Sequence, residues 1–238
     1  MPGANADLVR VLAEPASQPK GRWRDLGVRT ASAAVLLPVG LGCLWAGGWA
    51  WSALVILAGV LMMREWRDMA RGWPYAASLP VGLLWILPAI LGLEWLRGQP
   101  QGGLGNVLFV LCVVWASDIG AYVVGRLVGG PKLAPAISPG KTRSGAVGGL
   151  LAAIGVGAAA AWIGAGAFEV ATVTAAGLGV VSQAGDLLES AVKRHFGVKD
   201  SGNMIPGHGG LLDRFDAVLT VAPVAAAIVL WRGVELWR

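Results

Sequence analysis

The stretch SAVKRHFGVKDSGNMIPGHGGLLDRFD, Ser190 to Asp216, is a dense run of charge, Gly and His set between two apolar stretches. Its reading decides the fold. Unpaired charge in hydrocarbon costs roughly 2.5–3.5 kcal/mol per residue, so Lys193, Arg194, Lys199, Asp200, His208, Asp213, Arg214 and Asp216 mark a segment held beside membrane spans for a reason. An ordinary loop with a positive-inside bias needs only Lys and Arg. This one adds three Asp and a Pro206-Gly207-His208-Gly209-Gly210 turn, and it reads as a candidate active site.

The rest of the chain supplies the spans. Its 238 residues are 55% hydrophobic and 14% charged, with mean hydropathy +0.64. A soluble globular chain carries about 25% charged residues, so most of this one is read as embedded in a bilayer. The 36 Gly and 12 Trp fit that class, Gly through close span packing and Trp through the interface. Cys43 and Cys112 fall inside apolar runs and read as packing residues. No cleaved signal peptide is expected at residues 1–25, and the lack of a transit-peptide pattern points to a bacterial inner membrane.

Apolar stretches near 30–47, 49–63, 75–96, 104–125, 144–166, 168–190 and 217–231 predict about seven transmembrane helices in an all-α polytopic protein. The first two, parted only by Gly47-Gly48, predict a tight hairpin. With a cytosolic N-terminus, every Lys and Arg except Arg97, Arg232 and Arg238 falls on the cytosolic side. The organisation expected is a tail at 1–29, an N-terminal membrane region of three helices at 30–103, and a catalytic membrane region at 104–238. Loops 126–143 and 191–216 then carry the active site at the cytosolic ends of the C-terminal helices.

Polar residues recur at helical spacing inside the spans. Asp118, Tyr122 and Arg126 share one face of the fourth, and Ser182, Asp186, Glu189 and Lys193 share one face of the sixth. Such stripes also serve as interhelical glue. Asp186 and Glu189 repel one another without a cation between them, and Asp213 with Asp216 makes a second acidic pair. Two acidic clusters joined by a Gly-rich loop make a plausible hard-metal site with oxygen ligands. The Gly207–Gly210 turn has the composition of an anion-binding nest, and the surrounding Lys193, Arg194, Lys199 and Arg214 point to a polyphosphate guest. A second basic loop, Ser138-Pro139-Gly140-Lys141-Thr142, reads either as a phosphate contact or as a positive-inside anchor.

The spacing S-x-x-K-R-x-x-x-x-K-D-x-x-x-x-x-P-G-H-G-G-x-x-D-R-x-D resembles the signature of the phosphatidate cytidylyltransferase family, the CDP-diacylglycerol synthases. Gly185-Asp186-Leu187-Leu188-Glu189-Ser190, the S-P-x-K-T loop and W-x-x-D-x-x-A-Y at Trp115–Tyr122 fit the same family. The resemblance covers about residues 105–230. Gly140 stands where the family usually has a second Lys, and Ala217 where Ser is common.

The resemblance implies that CTP and phosphatidic acid give CDP-diacylglycerol and pyrophosphate, in phospholipid biosynthesis. It implies Mg²⁺, with a second cation left open, and Asp186 and Asp213 as principal metal ligands joined by Glu189 and Asp216. Lys193, Arg194, Lys199 and Arg214 are expected on phosphates, with Ser138, Lys141, Thr142, Asp118, Asp200, His208 and Gly209 completing the substrate site. It also implies a homodimer in the bilayer, and no nucleic-acid partner is expected. Two other readings are carried: a cytidylyltransferase for another lipid phosphate such as an archaeal ether lipid, and a transporter using its intramembrane acids as a pathway.

Overall fold

The structure is a computed structural model, describing residues 22–164 and 166–238. Among the described residues four helices come first: α1 (Arg22–Ala46), α2 (Gly48–Met69), α3 (Tyr75–Arg97) and α4 (Gly103–Val128). A hairpin of β1 (Lys132–Ala134) and β2 (Ser138–Thr142) follows, then α5 (Arg143–Gly164), α6 (Phe168–His195) and α7 (Leu212–Arg232). The protein is an all-α polytopic membrane protein in which the hairpin is the only sheet among the described residues. Residues 1–21 of the expected tail lie outside those residues.

Among the described residues, six of the seven helices are long and apolar enough to cross a membrane. The exception is α6, whose apolar run is interrupted by Thr172, Thr174, Ser182 and Gln183 before its charged end. It packs against α4, α5 and α7 instead of relying on lipid. Its buried positions, Ala171, Ala175, Leu178, Ser182, Gly185 and Glu189, follow alternating 4-3 spacing and so form one face.

Small residues set how closely the helices approach. A Cβ on Gly145 of α5 would sit 2.7 Å from the Ala121 carbonyl oxygen of α4, and one on Gly149 would sit 2.7 Å from that of Ser117. Where α6 meets α7, a Cβ on Gly185 would collide with the Thr220 hydroxyl. Without side chains at these points the backbones come near enough to bring polar groups of different helices together.

The expected tight hairpin between the first two spans is present. Gly47 and Gly48 both take positive φ (64° and 52°), which only Gly adopts without strain. Arg97, at the end of α3, donates to the Leu44 and Trp45 carbonyls at 2.8 and 3.1 Å, capping the end of α1.

Several boundaries differ from the sequence reading: α2 runs on to Met69 and α6 to His195, past the expected 63 and 190. α1 begins at Arg22, not near 30. The 126–143 loop folds its second half into the hairpin, in the register Lys132↔Thr142 and Ala134↔Ser138. α7 begins at Leu212, so Asp213 and Asp216 stand in its first turns and not in a loop. The cause is local: Asp213 accepts the Gly210 N–H at 2.9 Å, and acids in a first turn are favoured by the helix dipole.

Candidate active site

At the end of the bundle carrying the hairpin and the 196–211 loop, three carboxylates converge. One oxygen each from Asp186 and Glu189 of α6 and from Asp216 of α7 lies within 4.8 Å of the others. Asp186 and Glu189 are one turn apart on the buried side of α6, and the Gly185–Thr220 approach brings Asp216 across to them. Lys141 of β2 pairs with Asp186 at 2.5 Å, which ties the hairpin to α6. Lys193 pairs with Glu189 at 2.7 Å and with Asp213 at 2.9 Å, which ties α6 to α7. Asp118 on α4 is within electrostatic reach of Asp186, Asp216 and Lys141.

The cluster keeps an excess of negative charge. Asp118, Asp186, Glu189, Asp213 and Asp216 face only Lys141 and Lys193 as cations in contact. Glu189 is 2% exposed and its Oε1 meets no donor. A buried carboxylate oxygen without a donor is costly, and an oxygen-ligated cation relieves it. The donor set fits a hard divalent cation: three acids, no thiol and no imidazole.

Asp213 is set apart from that triad. Its Oδ1 takes Lys193 at 2.9 Å and the Ser201 N–H at 3.1 Å. Its Oδ2 takes the N–H groups of Ser201 at 3.0 Å and Gly210 at 2.9 Å. Three donors thus meet its carboxylate, Lys193 and two loop amides, the Ser201 N–H being shared between both oxygens.

The sequence reading missed Glu65. This residue of α2 is 2% exposed and accepts the N–H groups of Leu211 at 2.9 Å and Leu212 at 2.8 Å, with the Ser201 hydroxyl at 3.4 Å. Of the Pro206–Gly210 turn expected to offer N–H groups to a phosphate, the Gly210 donor is taken by Asp213, and the next two, Leu211 and Leu212, are taken by Glu65. Nothing in M-R-E-W-R reveals this, because an acid between Arg64 and Arg67 looks like a solvated charge. The same stretch supplies Trp66, whose ring meets Trp85 and Phe196 edge-on at 5.8 and 5.7 Å, buttressing the end of α6.

The remaining candidates divide by what they touch. Ile205 and Gly209 close a tight turn (N–H to carbonyl, 2.9 Å), with Gly207 and Gly209 at φ 76° and 84°. His208 lies in that turn, its Nδ1 without a partner. Thr142 is 7% exposed and its hydroxyl accepts the Gly145 N–H at 3.0 Å, so it caps α5. Arg194 donates to the Val198 and Ile137 carbonyls, bracing the hairpin. Ser138 opens β2, partly exposed. Lys199, Asp200 and Arg214 are exposed and their side chains have no protein partner among the described residues.

Residues 81–231 match the sequence profile described as the Cytidylyltransferase family. The chain belongs to the cytidylyltransferase family. It is 46% identical over 180 residues to a phosphatidate cytidylyltransferase of Brucella suis, covering 75% of this chain and 62% of that protein. A Staphylococcus saprophyticus protein of the same name is 42% identical over 149 residues, 59% of this chain and 55% of its own length. A third, from Rickettsia bellii, is 37% identical over 211 residues, 84% of this chain and 89% of its own. The chain thus spans less than two thirds of the Brucella and Staphylococcus relatives and most of the Rickettsia one. The matched region contains both the hairpin and the three-carboxylate cluster.

Proposed function

We propose that the chain transfers a cytidylyl group from CTP to phosphatidic acid, giving CDP-diacylglycerol and pyrophosphate. The convergence of Asp186, Glu189 and Asp216 beside Lys141 and Lys193 carries this reading, in a chain of a family whose relatives bear that name. No comparable observation favours the ether-lipid or transporter reading.

In this reaction an oxygen of the lipid phosphate attacks the α-phosphorus of CTP, and the bond from that phosphorus to the β-phosphate bridging oxygen breaks. The electron pair leaves with pyrophosphate. A phosphate monoester has its second pKa near 6, so at neutral pH the nucleophile is already largely ionised and needs no general base. The chain's task is to hold two polyanions together and neutralise the charge that builds on the leaving group.

In this reading Asp186, Glu189 and Asp216 hold Mg²⁺, which when bound would neutralise phosphate oxygens. Lys193 keeps α6 and α7 in register and Asp213 holds Lys193 and the loop. Lys199 and Arg214, exposed and unpaired, face the nucleotide phosphates, with His208 beside them. Lys141 sits where a phosphate can draw it from Asp186, and Asp118 borders the same space. Arg194, Asp200, Ser138, Thr142 and Gly209 shape the surrounding loops. The charged end faces the cytosol, where CTP is found, in a bacterial inner membrane, and two chains associate as a homodimer.

The test is CTP-dependent conversion of phosphatidic acid by the detergent-purified protein, with Mg²⁺ and with EDTA. Metal-dependent formation of CDP-diacylglycerol and pyrophosphate is expected. A folded protein that makes no product with diacyl or ether phosphatidates would overturn the reading.

A further inference from the structure

A cavity of about 480 Å³ opens between α4, α5, α6 and β2, and Asp186 and Lys141 lie in its wall. Arg126 and Tyr122 of α4 line it too, with the guanidinium Nη1 donating to the tyrosine oxygen at 3.2 Å. No carboxylate pairs with Arg126 among the described residues. Lys141, the other cation in the wall, is already paired with Asp186. Arg126 is therefore the unpaired cation of this cavity, held by a neutral hydroxyl that leaves its other N–H groups free.

What surrounds it selects the guest. Asp118, Tyr122 and Arg126 form one row along α4, on the cavity side. The adjacent row is Ile119, Val123 and Leu127, which are 63%, 43% and 80% exposed on the outer surface of a helix apolar and long enough to span a bilayer. The two rows run side by side for about 12 Å, eight residues at 1.5 Å each. A molecule lying along both needs an anionic head and an apolar tail. A free nucleotide would set its ribose and base against the apolar row without gain.

The geometry points to Arg126, oriented by Tyr122, as the group that binds the phosphate monoester of the lipid substrate, with the acyl chains lying along Ile119, Val123 and Leu127. The inference rests on the proposed reaction and adds where its lipid enters: from the bilayer, over α4. A planar guanidinium engages phosphate oxygens in pairs, and a monoester, with three free oxygens and up to two charges, holds it more strongly than a phosphodiester, with two free oxygens and one charge. A lone Arg in the last turn of a span is also what interface anchoring requires, and the measurement must separate the two roles.

That measurement is the kinetics of Arg126→Ala and Arg126→Lys in mixed micelles, varying phosphatidic acid and CTP separately. For the alanine variant the KM for phosphatidic acid is expected to rise at least about tenfold, with the KM for CTP within about twofold. Lysine is expected to recover part of the loss. A rise in the CTP constant alone would move Arg126 to the nucleotide, and no change in either would leave it an anchor; both overturn the inference. Native mass spectrometry of the purified protein with phosphatidic acid against phosphatidylcholine supplies a readout independent of turnover. Selective retention of phosphatidic acid by the unaltered chain, lost in Arg126→Ala, supports the inference even where the CTP reaction fails. Equal retention by both overturns it.

Discussion

Asp213 and Asp216 stand three residues apart on α7, and their surroundings give them different work. Asp213 meets Lys193 and the backbone N–H groups of Ser201 and Gly210. Asp216 meets the N–H of Ala217 at 2.7 Å and otherwise faces two more carboxylates. Glu65 belongs with the first, because it is saturated by Leu211, Leu212 and Ser201. Asp186 and Glu189 belong with the second. One end of the bundle thus holds acids met by several backbone amides, which build a loop, and a less fully satisfied set, Asp186 beside Lys141, Glu189 beside Lys193 and Asp216 beside one amide, proposed above to hold a cation. Residue type does not distinguish them. The count of donors does.

The largest effect expected is on the less satisfied set. Asp186→Asn or Asp216→Asn should lower turnover by at least about a hundredfold, since supporting partners of a metal site alone are worth 10–100-fold. Melting temperature in detergent should hold or rise in Asp216→Asn, which removes a charge from a repelling cluster, and should change less favourably in Asp186→Asn, which also weakens the tie to Lys141. A variant that unfolds would place that acid with Glu65.

Glu65→Gln should do the reverse. An amide offers one acceptor where the carboxylate offers two and turns an NH₂ toward backbone donors. The expected loss is about 2 kcal/mol of stability, from hydrogen bonds to a buried charge. Activity should fall about tenfold as the loop loosens, with the Mg²⁺ requirement unmoved. Thermal unfolding and a metal titration together check this.

Gly185→Ala probes the approach of α6 to α7 that assembles the triad. Its Cβ meets the Thr220 hydroxyl, and overpacking of this kind costs about 1–3 kcal/mol. Thr220→Ala in the same chain should recover most of the loss, and failure to do so would mean the contact does not govern the triad. At the small end, Arg71→Ala removes an exposed i,i+3 pair with Asp68 and should change stability by no more than about 0.5 kcal/mol.

The spans, the Gly47–Gly48 hairpin and the charged segment were legible because burial in lipid writes itself as long apolar runs, broken where polar groups are needed. The helical spacing of Asp186, Glu189 and Lys193 likewise placed them on one face. Four things were not legible. The hairpin at 132–142 is held by backbone pairing in a sequence of Pro, Gly and Lys that carries no strand pattern. The capping role of Thr142 depends on where α5 begins, which a run of small residues leaves unmarked. Glu65 reaches amides 146 and 147 residues away, and no local pattern encodes a partner at that distance. Asp213 and Asp216 look alike in D-R-F-D. Only the fold shows that the loop turns its N–H groups toward the first.

The central claim is the division of the acids, and the most direct measurement is the Mg²⁺ dependence of CTP turnover in Asp216→Asn beside Asp213→Asn. An apparent Mg²⁺ requirement raised at least about tenfold is expected in Asp216→Asn. In Asp213→Asn, lower stability and slower turnover are expected at an Mg²⁺ requirement within about twofold of the unaltered chain. An equal shift in both, or a shift confined to Asp213→Asn, would contradict that division and put Asp213 among the cation's ligands.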